Sequence, residues 1–195
     1  MEDVQKLLEI INGDIKEILS EKRYTHSVNV MKRAEELAIK FNVDINKAKL
    51  IGLAHDIGKE IFKKIEYADA NGIEIDEIEK ESPELLHSKI GAEICGKKYG
   101  FTQDMQDAIK YHTTTSTKMD TLAKIVFVSD KVELNRKSVD YDLEAERKLA
   151  KEDLDATILL ILDSNITSLV KKGKLIEHES IETRNKLIID KMRKN

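Results

Sequence analysis

The chain contains few of the residues that cross-link chains or interrupt helices. Its 195 residues include one proline, one cysteine and no tryptophan. A lone cysteine excludes an internal disulfide, and the first residues show no signal-peptide pattern, so we predict a cytoplasmic location. Cys95 itself is interpreted as a small, partly buried residue. No apolar run approaches the roughly 18 residues of a membrane span, which predicts no membrane partner.

An excess of positive charge is also missing. The formal net charge is −4, so no overall basic field would draw the chain to nucleic acid, and we predict no nucleic-acid partner. An anionic small-molecule substrate would therefore need local cations, such as a metal ion or a few lysines and arginines. Hydrophobic residues make up 41% and charged residues 36%, a balance typical of a helix-rich globular protein.

Apolar residues recur at helical spacing along most of the chain, and no segment is a convincing strand. The β-branched run at 125–128 is the nearest to one, but it is short and lies in a helical context. We therefore predict an all-α fold. The predicted helices cover 3–19, 20–41, 45–55, 60 to about 70, 82–99, 103–112, a segment from 121, 141–172 and 178–193.

Several helix ends are marked by residues that favour caps. Asp44 precedes the third helix, and Ser82 followed by Pro83 is typical of a helix start. Gly58 is expected to let the chain turn after the third helix. Gly100 and Gly173 are expected to end two others.

Four histidines and two aspartates lie close to predicted helix ends, which suggests a shared site. Imidazole and carboxylate groups suit divalent transition metals, and a carboxylate can bridge two ions. Water held by such ions ionises near neutral pH and becomes a nucleophile. His178 stands outside the pattern and is interpreted as a helix-start or surface residue. One candidate set is His26, His55, Asp56 and Asp130, while His87 and His112 would bind a second ion or contact a phosphate oxygen.

The order His26, His55-Asp56, Asp130 resembles the H…HD…D signature of the HD-domain metal-dependent phosphohydrolases. Further segments resemble the YqeK-type branch, the symmetrical bis(5′-nucleosyl)-tetraphosphatases, and extend the resemblance over nearly the whole chain. These segments are Arg23-Tyr24-Thr25-His26-Ser27, Ala54-His55-Asp56-Ile57-Gly58-Lys59, Ser82-Pro83-Glu84-Leu85-Leu86-His87-Ser88, Tyr111-His112-Thr113-Thr114, Asp130-Lys131-Val132-Glu133-Leu134-Asn135-Arg136 and Ile181-Glu182-Thr183-Arg184-Asn185.

The resemblance implies a single HD-type helical bundle, with a core at about 20–135 and C-terminal helices at about 141–193. It implies that diadenosine tetraphosphate and water give two ADP, by attack of a metal-activated hydroxide on phosphorus. The implied cofactor is iron, as one or two ions, with manganese as an alternative. A homodimer is also expected. The implied metal ligands are His26, His55, Asp56, His87, His112 and Asp130.

The same resemblance assigns further roles around the metal site. Asp56, as the bridge between metal positions, and Lys59, near the substrate phosphates, would be catalytic. Arg23 lies three residues before His26 on the same helix face, where it would clamp a phosphate or pair with an acid. Besides His87 and His112, the implied substrate-binding residues are Arg23, Thr113, Thr114 and Arg136.

Two positions depart from the branch pattern, and two other functions are weighed against the main one. Thr115 stands where glycine usually follows the two threonines, and Leu134 stands where proline is usual. The first alternative function is another HD-type hydrolase, acting on mononucleotides, dNTPs or alarmones. The second is a nucleotide-binding module without activity. The nearby lysine and the complete ligand set favour the enzyme.

Overall fold

The computed structural model describes residues 2–136 and 143–194, and within these ranges every regular element is helical. The all-α prediction is confirmed, and the β-branched run at 125–128 lies buried inside α8. The helices are α1 (Glu2–Ile18), α2 (Glu21–Phe41), α3 (Ile45–Ala54), α4 (Lys64–Ala70), α5 (Glu77–Glu81), α6 (His87–Tyr99), α7 (Gln103–Thr114), α8 (Thr121–Val132), α9 (Leu143–Leu149), α10 (Leu154–Lys171) and α11 (His178–Lys194), and a 3₁₀ turn (Pro83–Leu86) precedes α6.

A continuous apolar core runs from α1 to α10. Ile11 and Ile15 of α1 are fully buried, and so are Ile51 of α3 and Phe127 of α8. Ile158 of α10 belongs to the same cluster. Burial of such side chains stabilises the fold by about 1.5–3 kcal/mol each. The first and the penultimate helices therefore share one core with the central bundle.

The close approach of α2 and α3 depends on a glycine. A Cβ at Gly52 would lie 2.8 Å from the Cα of Met31, nearer than packed atoms allow. A second such contact lies just after α3, where a Cβ at Gly58 would lie 2.4 Å from the carbonyl oxygen of His87. Gly58 thus lets the loop after α3 lie against the start of α6. Its backbone angle is not positive, so close approach is the reason for glycine here.

The prediction of one continuous helix over 141–172 is wrong, because the described residues of this segment form two helices. α9 ends at Leu149, and α10 begins at Leu154 after a short turn. The Asp153 side chain accepts a hydrogen bond from the backbone N–H of Ala156 and so caps α10. Residues 141 and 142 lie outside the described ranges. The interruption carries no glycine or proline, which is why apolar spacing alone did not reveal it.

Two smaller helix predictions also change. Ser82 makes no side-chain cap, and Pro83 begins the 3₁₀ turn that leads into α6. In the preceding segment, helix forms only over Lys64–Ala70, and α5 follows with Asp76 and Glu79 in a reciprocal capping box. Those two side chains satisfy the backbone N–H groups of Asp76 and Glu79 at the start of α5 itself.

α9 is joined to the end of α8 through Arg147. Its guanidinium donates to the carbonyl oxygens of Val132 at 3.0 Å, Glu133 at 2.7 Å and Leu134 at 3.2 Å. A cation at these carbonyls matches the negative end of the α8 dipole. α9 therefore holds the segment that carries Glu133 and the residues after it.

Thr115 has a backbone conformation that favours glycine. Its φ is 64° and its ψ is 179°, and its side chain is buried. For a β-branched residue such a conformation costs about 1–3 kcal/mol. We expect Thr115→Gly to raise the free energy of unfolding by about 1 kcal/mol, because relief of strain exceeds the loss of a small buried side chain. Thermal unfolding should shift upward by about 2–4 °C.

The matched control for that change is Thr117→Gly. Thr117 is exposed and its φ is not positive, so glycine there only adds freedom to the unfolded chain. We expect this variant to lose stability by up to about 1 kcal/mol. A Thr115→Gly variant that melts below the wild type would contradict the strain at Thr115.

No helix in the described ranges combines the length and the apolar character that crossing a membrane requires.

Candidate metal centre

The six predicted ligands converge at the ends of five elements. His26 lies in the first part of α2, and His55 and Asp56 directly follow α3. The remaining three are His87 at the start of α6, His112 near the end of α7 and Asp130 near the end of α8. Three groups of donors each have their ligand atoms within 4.8 Å of one another: His26–His55–Asp56, His55–His112–Asp130 and Asp56–His87–His112.

Asp56 lies between two parts of this cluster. Its Oδ1 is 3.3 Å from Nε2 of His87 and 3.6 Å from Nε2 of His112. Its Oδ2 is 3.9 Å from Nε2 of His55 and 3.6 Å from the Arg23 guanidinium. One carboxylate oxygen therefore faces two imidazoles and the other faces a third imidazole, which is the arrangement expected of a bridging ligand.

Three of the histidines are oriented by backbone carbonyl groups three residues earlier in the chain. Nδ1 of His55 lies 2.9 Å from the carbonyl oxygen of Gly52. Nδ1 of His87 and Nδ1 of His112 lie 2.5 Å and 2.6 Å from the carbonyl oxygens three residues earlier. A carbonyl only accepts, so each Nδ1 carries the hydrogen and each Nε2 presents a lone pair to the cluster.

The pKa values of two of these imidazoles suit metal binding. Burial lowers the pKa of His55 to about 3 and that of His87 to about 4. Both rings are therefore neutral near pH 7, as a metal ligand must be.

His26 is held between two carboxylates. Its Nε2 lies 2.9 Å from Oδ1 of Asp130, and its Nδ1 lies 3.4 Å from Oε1 of Glu133. Burial disfavours the charged ring, but these hydrogen bonds outweigh it and raise the pKa of His26 to about 9. The pKa of Asp130 lies well below its usual range, because the adjacent Lys131 and His26 outweigh burial.

The donor set fits a divalent metal ion. Nε2 of His55 is fully buried and has no hydrogen-bond partner in the described part of the chain. A buried nitrogen without a hydrogen-bond partner destabilises the fold unless a ligand binds to it. Four imidazoles and two carboxylates, most of them buried, match the donors that zinc, iron and related transition metals take.

Cations and hydroxyls surround the cluster. Lys59 Nζ lies 3.0 Å from Nε2 of His87 and 3.9 Å from Oδ1 of Asp56, and burial lowers its pKa. Arg136 reaches within 4.0 Å of Oδ1 of Asp130. Oγ1 of Thr113 lies 3.1 Å from Nε2 of His87. These groups can donate hydrogen bonds to an anionic ligand that is bound next to the candidate metal ligands.

Thr114 is placed differently from the other predicted site residues. It does not line the cavity that contains the cluster. Its carbonyl oxygen accepts a hydrogen bond of 2.8 Å from Ser180 Oγ at the start of α11. A substrate contact for Thr114 therefore stays a prediction from the sequence.

A large cavity of about 1380 Å³ opens onto the cluster. Arg23, Lys59 and Lys131 contribute positive charge to its wall, in spite of the negative net charge of the chain. The lining also includes Asn165 and Ser168 of α10, which the sequence did not indicate. The local cations expected for an anionic substrate are thus present around this site.

Glu133 is the other residue that sequence reasoning missed. Its carboxylate is buried, accepts from the backbone N–H of Asn135 at 2.7 Å and contacts His26. A carboxylate behind a ligating imidazole orients the ring and raises its basicity. Its place three residues after Asp130, within a segment that carries the family resemblance, was the available signal.

We expect Glu133→Gln to weaken metal affinity about 10-fold or more, because an amide holds the His26 imidazole less strongly than a carboxylate does. Isothermal titration calorimetry of the metal-stripped protein with Mn²⁺ or Fe²⁺ measures the dissociation constant of the metal. Glu81→Gln, at an exposed position, is the matched control. Equal affinity of the Glu133→Gln variant and the wild type would show that Glu133 has no part in orienting His26.

The arrangement defines a class of protein. The family model of the HD domain matches residues 23–135, which include all six candidate ligands. A solved structure from Clostridium acetobutylicum, described as a predicted HD superfamily hydrolase involved in NAD metabolism, superposes with a TM-score of 0.89 at 34% identity. That comparison covers 93% of this chain and 97% of the other. The chain is a member of the HD-domain hydrolases.

The relatives place the chain in one family within that class. The symmetrical bis(5′-nucleosyl)-tetraphosphatase of Bacillus subtilis is 33% identical, over 89% of this chain and 94% of that protein. The protein of the same name from Staphylococcus aureus is 30% identical, over 87% of this chain and 89% of that protein. The chain belongs to the family of the symmetrical bis(5′-nucleosyl)-tetraphosphatases.

Proposed function

We propose that the chain hydrolyses dinucleoside tetraphosphates, with diadenosine tetraphosphate and water giving two molecules of ADP. The observation that carries the proposal is the convergence of five metal-type donors around Asp56, in a cavity whose wall includes Arg23, Lys59 and Lys131. The names of the relatives support the substrate. In the reaction, a bond forms between water oxygen and one central phosphorus, and the central bridging P–O bond breaks.

We propose a divalent transition metal, iron as one or two ions, at this cluster. His26, His55, Asp56 and Asp130 would hold one position, and Asp56, His87 and His112 would hold or complete the second. A metal ion bound there would lower the pKa of water and neutralise charge on phosphoryl oxygens. The imidazole-rich set supports iron, manganese or zinc by its chemistry, and the family resemblance favours iron.

Residues of the chain itself would position the tetraphosphate. Lys59, close to both Asp56 and His87, would stabilise charge that develops on the non-bridging oxygens. Arg23 lies beside Asp56 and Glu60, from where its guanidinium would bind a phosphate in a bidentate manner. Thr113 and Arg136 would donate further hydrogen bonds. Because His55 and His87 are neutral, each has a free Nε2 lone pair that can bind a metal ion.

A substrate panel with metal analysis tests the proposed function. The purified protein is loaded separately with Fe²⁺, Mn²⁺ and Zn²⁺ and incubated with diadenosine tetraphosphate, dinucleoside triphosphates, dNTPs, mononucleotides and guanosine alarmones. We expect rapid release of ADP alone from diadenosine tetraphosphate. Formation of ATP and AMP would contradict cleavage at the centre, and preferred turnover of a mononucleotide, dNTP or alarmone would favour the alternative HD-type hydrolase.

A further inference from the structure

α10 contributes a polar stripe to the wall of the cavity. Asn165, Ser168 and Lys172 are three and four residues apart, so they share one side of the helix, and all three line the cavity. α10 carries none of the six candidate metal ligands. A ligand that fills the cavity must therefore extend from the metal cluster to this helix.

The chemistry of the stripe differs from that beside the metal cluster. Asn165 is half-buried, and its side-chain amide has no hydrogen-bond partner in the ranges that the structure describes. Ser168 Oγ accepts from Lys172 Nζ at 2.8 Å, which leaves its hydroxyl hydrogen available to donate. The two half-buried groups are thus neutral and offer both donors and acceptors.

Neutral donors and acceptors match a sugar or a base more closely than they match a phosphate. Arg23, Lys59 and Lys131, whose cationic groups suit phosphate oxygens, belong to other parts of the wall. The ammonium of Lys172, the one cation of the stripe, donates to Ser168 Oγ. The cavity of about 1380 Å³ is also larger than the roughly 300–1,000 Å³ typical of small-ligand pockets. It has room for a nucleoside beyond the phosphates that the cluster would hold.

We propose that Asn165 and Ser168 of α10 bind the nucleoside of one half of the dinucleoside substrate, with Lys172 orienting Ser168. The proposal rests on the proposed function, because it names the part of the substrate that reaches α10. Through these residues, α10 would make the protein bind substrates that carry a nucleoside more tightly than polyphosphates without one.

The test compares two ligands and two double variants of the metal-loaded protein. One ligand is diadenosine tetraphosphate with an uncleavable methylene group at its central bridge, and the other is methylenebisphosphonate, which lacks a nucleoside. Calorimetry measures the dissociation constants for wild type, for Asn165→Ala with Ser168→Ala, and for a matched control. The control, Ser164→Ala with Thr167→Ala, removes similar polar groups of α10 that do not line the cavity.

We expect the Asn165→Ala, Ser168→Ala variant to bind the dinucleoside analogue about 10-fold more weakly, as expected for two lost hydrogen bonds. Its affinity for methylenebisphosphonate should stay within about two-fold, because that ligand does not reach α10. With cleavable diadenosine tetraphosphate, KM should rise by a similar factor while kcat changes little. The control should match the wild type throughout.

The outcomes separate this inference from the proposed function. Unchanged binding of the dinucleoside analogue, an equal loss for both ligands, or an equal loss in the control would overturn the nucleoside site alone. A wild-type protein that neither binds the analogue nor cleaves diadenosine tetraphosphate would overturn the proposed function and this site with it.

Discussion

Replacement of Asp56 by asparagine is expected to reduce hydrolysis by about 10³-fold or more and to remove most of the bound metal. The carboxylate faces His87 and His112 with one oxygen and His55 with the other, so its loss affects every metal position at once. The amide has the same shape but no charge and a weaker donor oxygen. Metal content by elemental analysis and rates of ADP release measure both losses.

The fold should survive this change. The asparagine fills the same space, and the apolar core does not depend on the carboxylate, so helical circular dichroism should be unchanged. Asp69→Asn, at an exposed position of α4, is the matched control and should keep full activity and metal content. A folded Asp56→Asn variant with wild-type metal content and rate would overturn the assignment of the centre.

Replacement of Lys59 by alanine is expected to lower kcat about 10²–10³-fold while leaving the metal content unchanged. The ammonium lies 3.9 Å from Asp56 and 3.0 Å from His87, close enough to reach a phosphate held at the cluster. An ammonium group is a poor metal ligand because it lacks a lone pair. Steady-state kinetics beside elemental analysis distinguishes the two effects.

Lys118→Ala is the matched control, because Lys118 is exposed and does not line the cavity. It should retain the wild-type rate. If Lys59→Ala lost metal together with activity, the role of Lys59 would be to maintain the cluster and not to stabilise charge on the substrate. Unchanged activity would remove Lys59 from the catalytic residues.

Helix type and order were predictable from apolar spacing, because each long helix buries one face. α1, α2 and α3 lie within one or two residues of their predicted bounds. The break between α9 and α10 was not predictable in this way. It depends on Asp153 capping a new helix and on Arg147 joining α9 to the carbonyl oxygens after α8. The spacing of apolar residues does not indicate either of these polar contacts.

The residues that carry chemistry were easier to find than those that support them. His55 and Asp56 are adjacent and directly follow an apolar helix, so their types and positions are informative in the amino-acid sequence alone. Glu133 contacts His26 although more than 100 residues separate the two in the chain. Its residue type alone does not distinguish it from the many other acidic residues of the sequence. Asn165 joins the cavity only because α10 packs against α8.

The core that runs from α1 to α10 means that the HD-domain match and the folding unit have different boundaries. A fragment limited to 23–135 would retain all six candidate ligands. It would lose Ile11 and Ile15 on one side and Ile158 on the other, and would leave their apolar partners open to water. Excision of the matched segment would therefore yield an aggregation-prone fragment. The six ligands lie on elements inside the matched segment, but the apolar core that holds those elements together extends to α1 and α10 outside it.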